Sequence, residues 1–372
     1  MKTALLNKLF EEFAEKEVKP LAKEIDEQER FPLETVEKMA KLGILGLPFS
    51  TYGGVGATYT NYIDAVRILS KYCATTGVIL SAHTSLCASP IYYFGSEAQK
   101  EKYLTRLNKG TSLGAFGLTE PSAGTDASKQ QTKAIDKGDY YEITGSKIFI
   151  TNAGYADIYV IFAMTNPELG LKGISAFILE KDTEGFTVGP KERKMGIRGS
   201  STCELIFDKV KLPKTQLLGK VGEGFKIAMS TLDGGRIGIA AQALGIAEGA
   251  FEKAVDYVKT RKQFDKPISS FQHTQFKIAE MKTQIEAARA LLYQAAKAKE
   301  LNEPYSDKAA MAKLFASRVA FEVSDQAIQL MGGYGYIRDF EIERYLRDAK
   351  ITEIYEGTSE VQKMVIAGKV LK

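Results

Sequence analysis

The residues best placed by type and spacing to do chemistry lie near the C-terminus, in Ile351-Thr-Glu-Ile-Tyr-Glu-Gly-Thr-Ser-Glu-Val-Gln362. Here Glu356 stands immediately before a glycine and a hydroxyl pair, an arrangement that suits a base in a ligand-filled cleft. Ile351, Ile354 and Tyr355 would wall the carboxylate with apolar surface and raise its pKa, while Gly357 lets a ligand approach the backbone without meeting a Cβ. Thr358 and Ser359 add hydroxyls and backbone N–H groups where a last helix begins, a setting that favours polar or anionic ligand atoms. The same pattern also serves as plain helix capping, so the segment alone leaves both readings open.

Other segments offer weaker signals. Phe116-Gly-Leu-Thr-Glu-Pro-Ser-Ala-Gly-Thr-Asp126 gathers Leu118, Thr119, Ser122 and Thr125 around Gly124. It presents several N–H and O–H donors, or is simply a tight Pro-Gly loop. Within it Glu120 and Asp126 read as turn formers. Phe149-Ile-Thr151 reads as a buried strand. Asp233-Gly-Gly-Arg236 falls inside a long helical run, where each glycine costs roughly 1 kcal/mol relative to alanine. That cost implies close approach, by a neighbouring helix or by a ligand. Arg261 and Gln272 read as a helix-terminal cation and a solvated amide. His83 and His273 lie in no motif with a nucleophile or a metal partner and read as structural. Cys73, Cys87 and Cys203 are odd in number, lack C-x-x-C spacing and read as small buried hydrophobes rather than a disulfide or zinc set.

The elements that must position these groups follow from periodicity. With 372 residues the chain is too long for one core and implies two or three packed units. Residues 1 to 112 read as helices: Pro32 and Gly43 bracket one, and Ser96-Glu-Ala-Gln99 is a capping box opening another. Residues 113 to 221 shorten to strands at 140–144, 147–151, 158–164 and 174–179, without intervening helices, which predicts an antiparallel sandwich or barrel. Residues 222 to 372 return to helical spacing, with long helices over about 223–261, 272–300 and 307–331. Apolar residues make up 44% and charged residues 26%, as in ordinary soluble proteins, and no apolar run is long enough to span a membrane. The 50 basic and 46 acidic side chains are mixed without a basic block, so nucleic-acid binding has no support. The N-terminus enters an acidic amphipathic helix with Glu11, Glu12 and Glu15, unlike a secretory or transit peptide, and points to a cytoplasmic protein.

Five motifs stand in an order that resembles the acyl-CoA dehydrogenases: Phe116 to Asp126, Gly145-Ser-Lys-Ile-Phe-Ile-Thr-Asn152, Arg261-Lys-Gln-Phe264, Gln329-Leu-Met-Gly-Gly-Tyr-Gly335, and the Tyr355-Glu-Gly-Thr-Ser-Glu360 stretch. The resemblance covers essentially the whole chain. It looks closest to the bacterial short-chain, butyryl-CoA type, above all in Leu113 to Pro121 and Gly222 to Gly238. It implies an α+β fold of an N-terminal all-α domain, a middle antiparallel β-barrel or sandwich domain and a C-terminal four-helix bundle.

The resemblance also implies FAD. Phe116, Leu118, Thr119, Ser122 and Thr125 would line the flavin ring and pyrophosphate, Phe149 would pack on the ring, and Thr151 would hydrogen-bond near its reactive nitrogen. Arg261 and Gln272 would reach the FAD of a neighbouring subunit, with Gln329, Gly332 and Gly333 on its adenosine part. Thr358, Ser359 and Glu360 would also face FAD. Thr125 stands where the family often has a substrate-contacting serine, and Asp233, Arg236 and Gly357 would also meet substrate. One branch of the family carries its catalytic Glu immediately before the residue matching Arg236. This chain has Gly235 there, so Glu356 is the expected base. Many relatives carry tryptophan where this chain, which has none, has Phe149. The implied reaction converts a short-chain acyl-CoA to a trans-2-enoyl-CoA, or the reverse, with electrons exchanged with electron-transferring flavoprotein, in a homotetramer built as a dimer of dimers. An oxidase using O₂ and a non-catalytic acyl-CoA binder are the alternatives.

Overall fold

The computed structural model describes residues 2–371. Local chemistry sets the helix ends in the N-terminal region. Helix α1 spans Lys2–Phe13, and α2 (Leu33–Lys41) starts after Pro32 and is followed by Gly43 at φ 71°, the left-handed conformation glycine adopts without steric cost. Thr58 caps α3 (Tyr59–Tyr72) in a reciprocal box with Asn61, and Ser96 and Gln99 form the second box expected from sequence. Helix α4 (Ala74–Ser81) continues through π-type turns over Ala82–Ala88 into Ser89–Phe94. This run is buried throughout its first half and carries Val78, Ala82 and Leu86 towards the candidate site.

The middle region forms one eight-stranded sheet: β1 (Gly114–Gly117), β2 (Lys133–Asp136), β3 (Tyr140–Ile150), β4 (Ile158–Met164), β5 (Ile174–Glu180), β6 (Phe186–Lys191), β7 (Cys203–Pro213) and β8 (Leu217–Leu218). The strands run β6-β7-β3-β2-β4-β5-β8, with β1 on β4. Pairing is mostly antiparallel, but β1 lies parallel to β4 and β2 meets β4 at one parallel position. The two segments read as separate strands around Gly145 are one strand, β3. It bulges there, with Gly145 at φ 145°, and shifts register again between Lys147 and Ile150.

The C-terminal region holds α5 (Gly224–Thr260), α6 (Gln272–Glu300), α7 (Ser306–Met331), α8 (Ile342–Thr352) and α9 (Ser359–Val370). The long helices begin and end within a few residues of their expected positions. The 37-residue α5 tolerates its glycines because α3 crosses it there: a Cβ on Gly245 would sit 2.2 Å from the Arg67 carbonyl oxygen, and one on Gly249 2.2 Å from that of Lys71. One apolar core therefore unites the two helical regions, with Tyr62, Val66 and Leu69 packed among Ile237, Leu244, Ala316 and Ala320. The sheet keeps its own core around Tyr159, Phe177 and Leu205. Among the described residues no helix is long and apolar enough to cross a membrane.

Candidate active site

Glu356 closes a cavity to which all three regions contribute. The cavity encloses about 190 Å³. Val78, Ala82 and Leu86 come from the N-terminal helices; Phe116, Leu118, Thr119, Thr125, Phe149 and Thr151 from the sheet and its loops; Met229, Leu232, Arg236, Glu356 and Gly357 from the C-terminal region. Glu356 is half-buried as a residue, yet its Oε2 lies out of solvent without a hydrogen-bond partner. Burial in this apolar wall pushes the carboxyl up to about 7, against the opposing pull of Lys313 and Arg236. A carboxylate near neutrality with a free oxygen can take a proton from a bound molecule.

The backbone delivering it is strained. Glu356 sits at φ 52° and Gly357 at φ 90°, and the left-handed region costs a residue with a Cβ roughly 1–2 kcal/mol. The turn is fastened by Gln362, whose Nε2 donates to the carbonyls of Glu356 (3.4 Å) and Gly357 (2.9 Å), and by Lys313, whose Nζ also donates to the Gly357 carbonyl. Among the described residues the Glu356 N–H donates to no acceptor of the chain. Thr358 caps α9, its side chain accepting from the Val361 N–H. Capping and a carboxylate with a buried, unpaired oxygen thus coexist in the one segment.

The glycine pair of α5 explains itself at this point. A Cβ on Gly235 would lie 1.9 Å from Glu356 Oε2, and one on Gly234 2.3 Å from Lys299 Nζ. Side-chain ends make the close approach, not a neighbouring helix backbone. Any side chain at position 235 competes with the Glu356 carboxylate for the same space. Arg236 is buried and paired with Asp233, which also accepts from Ser306 Oγ at 2.9 Å, so the two form one fixed charge pair at the cavity edge.

The loop after β1 differs from its sequence reading. Glu120 does open a turn, its backbone exchanging hydrogen bonds with that of Ala123, but its side chain is a buried carboxylate, 3% exposed, paired at 2.7 Å with Lys147, which is fully buried. It also accepts from the Gln131 and Thr132 N–H groups, while Lys147 donates to the Leu118 carbonyl and to Gln130. The position of Lys147 beneath the loop, set by the bulge in β3, makes this possible. Asp126 does form a turn, accepting from the Ser128 N–H. Phe149 is not buried in its strand: at φ 59° and 62% exposed, its ring lines the cavity.

The other expected residues divide into groups. Arg261, Gln329, Gly332 and Gly333 meet in a second, surface cavity of about 450 Å³ with Tyr257 and Tyr334, and the Arg261 guanidinium stacks 5.5 Å from the Tyr334 ring. Gln272 opens α6, exposed and outside that lining, and Ser122 is exposed outside the Glu356 cavity. Thr358, Ser359 and Glu360 line a third cavity of about 600 Å³ with Leu291, Met311 and Phe315. His83 is buried and neutral, Nδ1 accepting from the Gly114 N–H and Nε2 facing the Leu107 carbonyl, as a structural histidine does. His273 is exposed on α6. All three cysteines are free and buried. The sequence reading passed over Lys313 and Gln362. A lysine within the alanine stripe Ala309, Ala312, Ala316 and Ala320 of α7 was the visible signal for the first.

The residues fit a flavin. An exposed aromatic ring, open space beside Gly124, hydroxyls at Thr119, Thr125 and Thr151 and the unpaired Glu356 Oε2 converge on one cavity. Family models for the acyl-CoA dehydrogenase N-terminal, middle and C-terminal domains match residues 2–111, 115–210 and 222–371. A short-chain specific acyl-CoA dehydrogenase of Clostridium acetobutylicum is 59% identical over 369 residues, spanning 99% of this chain and 97% of the relative. The structure of butyryl-CoA dehydrogenase from Megasphaera elsdenii superposes with TM-score 0.98 at 54% identity, covering 100% of this chain and 98% of that one. A chain in the solved structure of the electron transferring flavoprotein of Acidaminococcus fermentans gives TM-score 0.98 at 56% identity, with the same coverage. On sequence and on fold alike, the chain belongs to the acyl-CoA dehydrogenase family, whose cofactor is FAD.

Proposed function

We propose that this enzyme dehydrogenates short-chain acyl-CoA thioesters of butyryl-CoA type to trans-2-enoyl-CoA, with Glu356 as the base. The observation that carries the reading is the Glu356 carboxylate, free at Oε2 and raised to about 7, inside a cavity walled by Leu86, Met229 and Leu232. These apolar side chains exclude water from the acyl group and keep the base strong. Glu356 Oε2 takes the proton from the α-carbon, and the free Glu356 N–H is available to the thioester oxygen as negative charge develops there. Phe116, Leu118, Thr119, Ser122, Thr125, Phe149 and Thr151 would hold FAD, which would supply the acceptor for the β-hydrogen as hydride. Gly357 leaves room for the thioester, and Asp233 and Arg236 flank the entry of the coenzyme A arm.

The second and third cavities support a shared cofactor site. In this reading Arg261, Gln272, Gln329, Gly332 and Gly333 hold the adenosine part of a neighbouring protomer's FAD, Thr358, Ser359 and Glu360 contact FAD, and the working unit is a tetramer of paired dimers. Electron-transferring flavoprotein is the redox partner and the cytoplasm the compartment, with functional units at 1–112, 113–221 and 222–372. The test is anaerobic addition of butyryl-CoA to the purified yellow protein. Bleaching of the flavin band supports the reading, and no bleaching by any acyl-CoA rejects it. Recolouring in air with release of peroxide would instead identify an oxidase.

A further inference from the structure

We infer that Lys313 is a positioning residue for the base: from α7 it holds the Gly357 carbonyl, fixes the left-handed Glu356-Gly357 turn, and sets a cation beside the carboxylate. The inference rests on Glu356 being the base. Lys313 is fully buried and, among the described residues, has no carboxylate within ion-pair distance; the acceptor it reaches is a backbone oxygen of the turn that carries Glu356. Burying an ammonium without an ion-pair partner is unfavourable. One turn further along the same helix, Ser317 Oγ donates to the Thr352 carbonyl at 2.9 Å. Ser317 already anchors this stretch of chain, and Gln362 already fastens the turn. A neutral donor at position 313 would suffice for anchoring; the charge needs another reason.

The surroundings supply it. Burial draws the Lys313 amine below the usual lysine range, while Glu356 opposes that fall and favours the charged form. The other charged groups facing it are Arg236 from α5, Glu353 beyond α8 and Glu360 on α9. Glu356 is faced by Lys313, Arg236, Tyr62 from α3 and the neighbouring Tyr355. Since Arg236 is committed to Asp233, among the described residues Lys313 is the cation facing Glu356 without a paired acid. Its charge keeps the carboxylate ionisable near neutrality while the apolar wall keeps it strong.

The experiment uses the FAD-loaded enzyme with butyryl-CoA and the variants Lys313→Met, Lys313→Gln and Lys313→Arg, with Glu356→Gln as reference. It reads kcat and KM against pH, and it follows the protonated-carboxyl infrared band that Glu356→Gln abolishes, which reports Glu356 directly. Losing the cation raises the Glu356 pKa. In Lys313→Gln, which keeps a donor, the infrared titration and the acid limb should both move up by about one pH unit. In Lys313→Met, kcat at pH 7 should fall about tenfold further, with KM changed less than about threefold. Lys313→Arg should titrate like the parent. An unmoved infrared titration in Lys313→Gln overturns the inference, as does a shift in Lys313→Arg equal to that in Lys313→Gln. Should Lys313→Met not fold, the Gln and Arg pair decides alone. If Glu356→Gln retains turnover, the base assignment fails instead, a result distinct from an inert Lys313.

Discussion

The cavity under Glu356 and the cavity at Arg261 are built on opposite plans. The first draws walls from all three regions of one chain, hides the unpaired Glu356 oxygen, and holds its loop in a strained turn with buried donors. The second is a shallow surface feature between α5 and α7, with Arg261 and Gly332-Gly333 at its rim and only Tyr334 stacked on the guanidinium. Proton abstraction needs a fixed, desolvated group, which one chain can finish by itself. Holding the far end of a large cofactor needs surface and hydrogen bonds, which a second chain can complete on assembly.

The largest test of this contrast is Glu356→Gln. Turnover and substrate bleaching should fall about 10³-fold while FAD stays bound, and an active variant would leave the first cavity without its purpose. Next comes pH. With the carboxyl near 7, kcat/KM should drop about tenfold per pH unit below neutrality; a profile flat down to pH 5 would refute a raised base. Gly235→Ala separates chemistry from stability. Its Cβ must displace the Glu356 carboxyl and crowd Leu86 Cδ2 at 2.8 Å, so activity should fall at least about tenfold, while the melting temperature should change little because the roughly 1 kcal/mol by which alanine favours the helix offsets the crowding. Loss of stability without loss of rate would contradict the shared-space argument.

On the second cavity the expected effects are smaller. Arg261→Ala should weaken FAD retention about tenfold, one strong hydrogen bond or stack, and more severely on dilution of the protein. Retention independent of protein concentration would argue that each chain holds its own cofactor alone. The last effect is on stability rather than on activity or cofactor retention. The folded carboxyl keeps its proton to about pH 7 while the unfolded one releases it near 4.5, so ionising Glu356 destabilises the fold as pH rises through that window. Replacing it by glutamine should therefore stabilise the apoprotein at pH 8 by up to about 3 kcal/mol and leave it unchanged at pH 4. Equal melting curves at both pH values would show that the group is not desolvated.

How legible all this was depends on the reach of each interaction. The helix boundaries at Gln272 and Met331, the Ser96 capping box and the Gly43 stop were readable because caps and left-handed turns involve residues within one turn of each other. The absence of an acid at position 235 was likewise a local fact with a chemical consequence. The turn at Glu120 was readable, but its buried ion pair was not, because the partner, Lys147, lies on a strand that bulges, and a one-residue change of register reverses the side a strand side chain takes. Phe149 escaped for the same reason.

By itself, then, the sequence determined the succession of helices, strands and helices, the chemical types gathered around Glu356, and the absence of an acid at position 235 of α5. Only the tertiary structure decided that the Glu356 oxygen would be buried without a partner, that Gly235 would yield it space, and that Lys313 would reach the Gly357 carbonyl. Periodicity and capping are properties of a few adjacent residues. Desolvation and charge coupling arise only where distant segments pack, and they depend on ångström-scale register that no local pattern encodes.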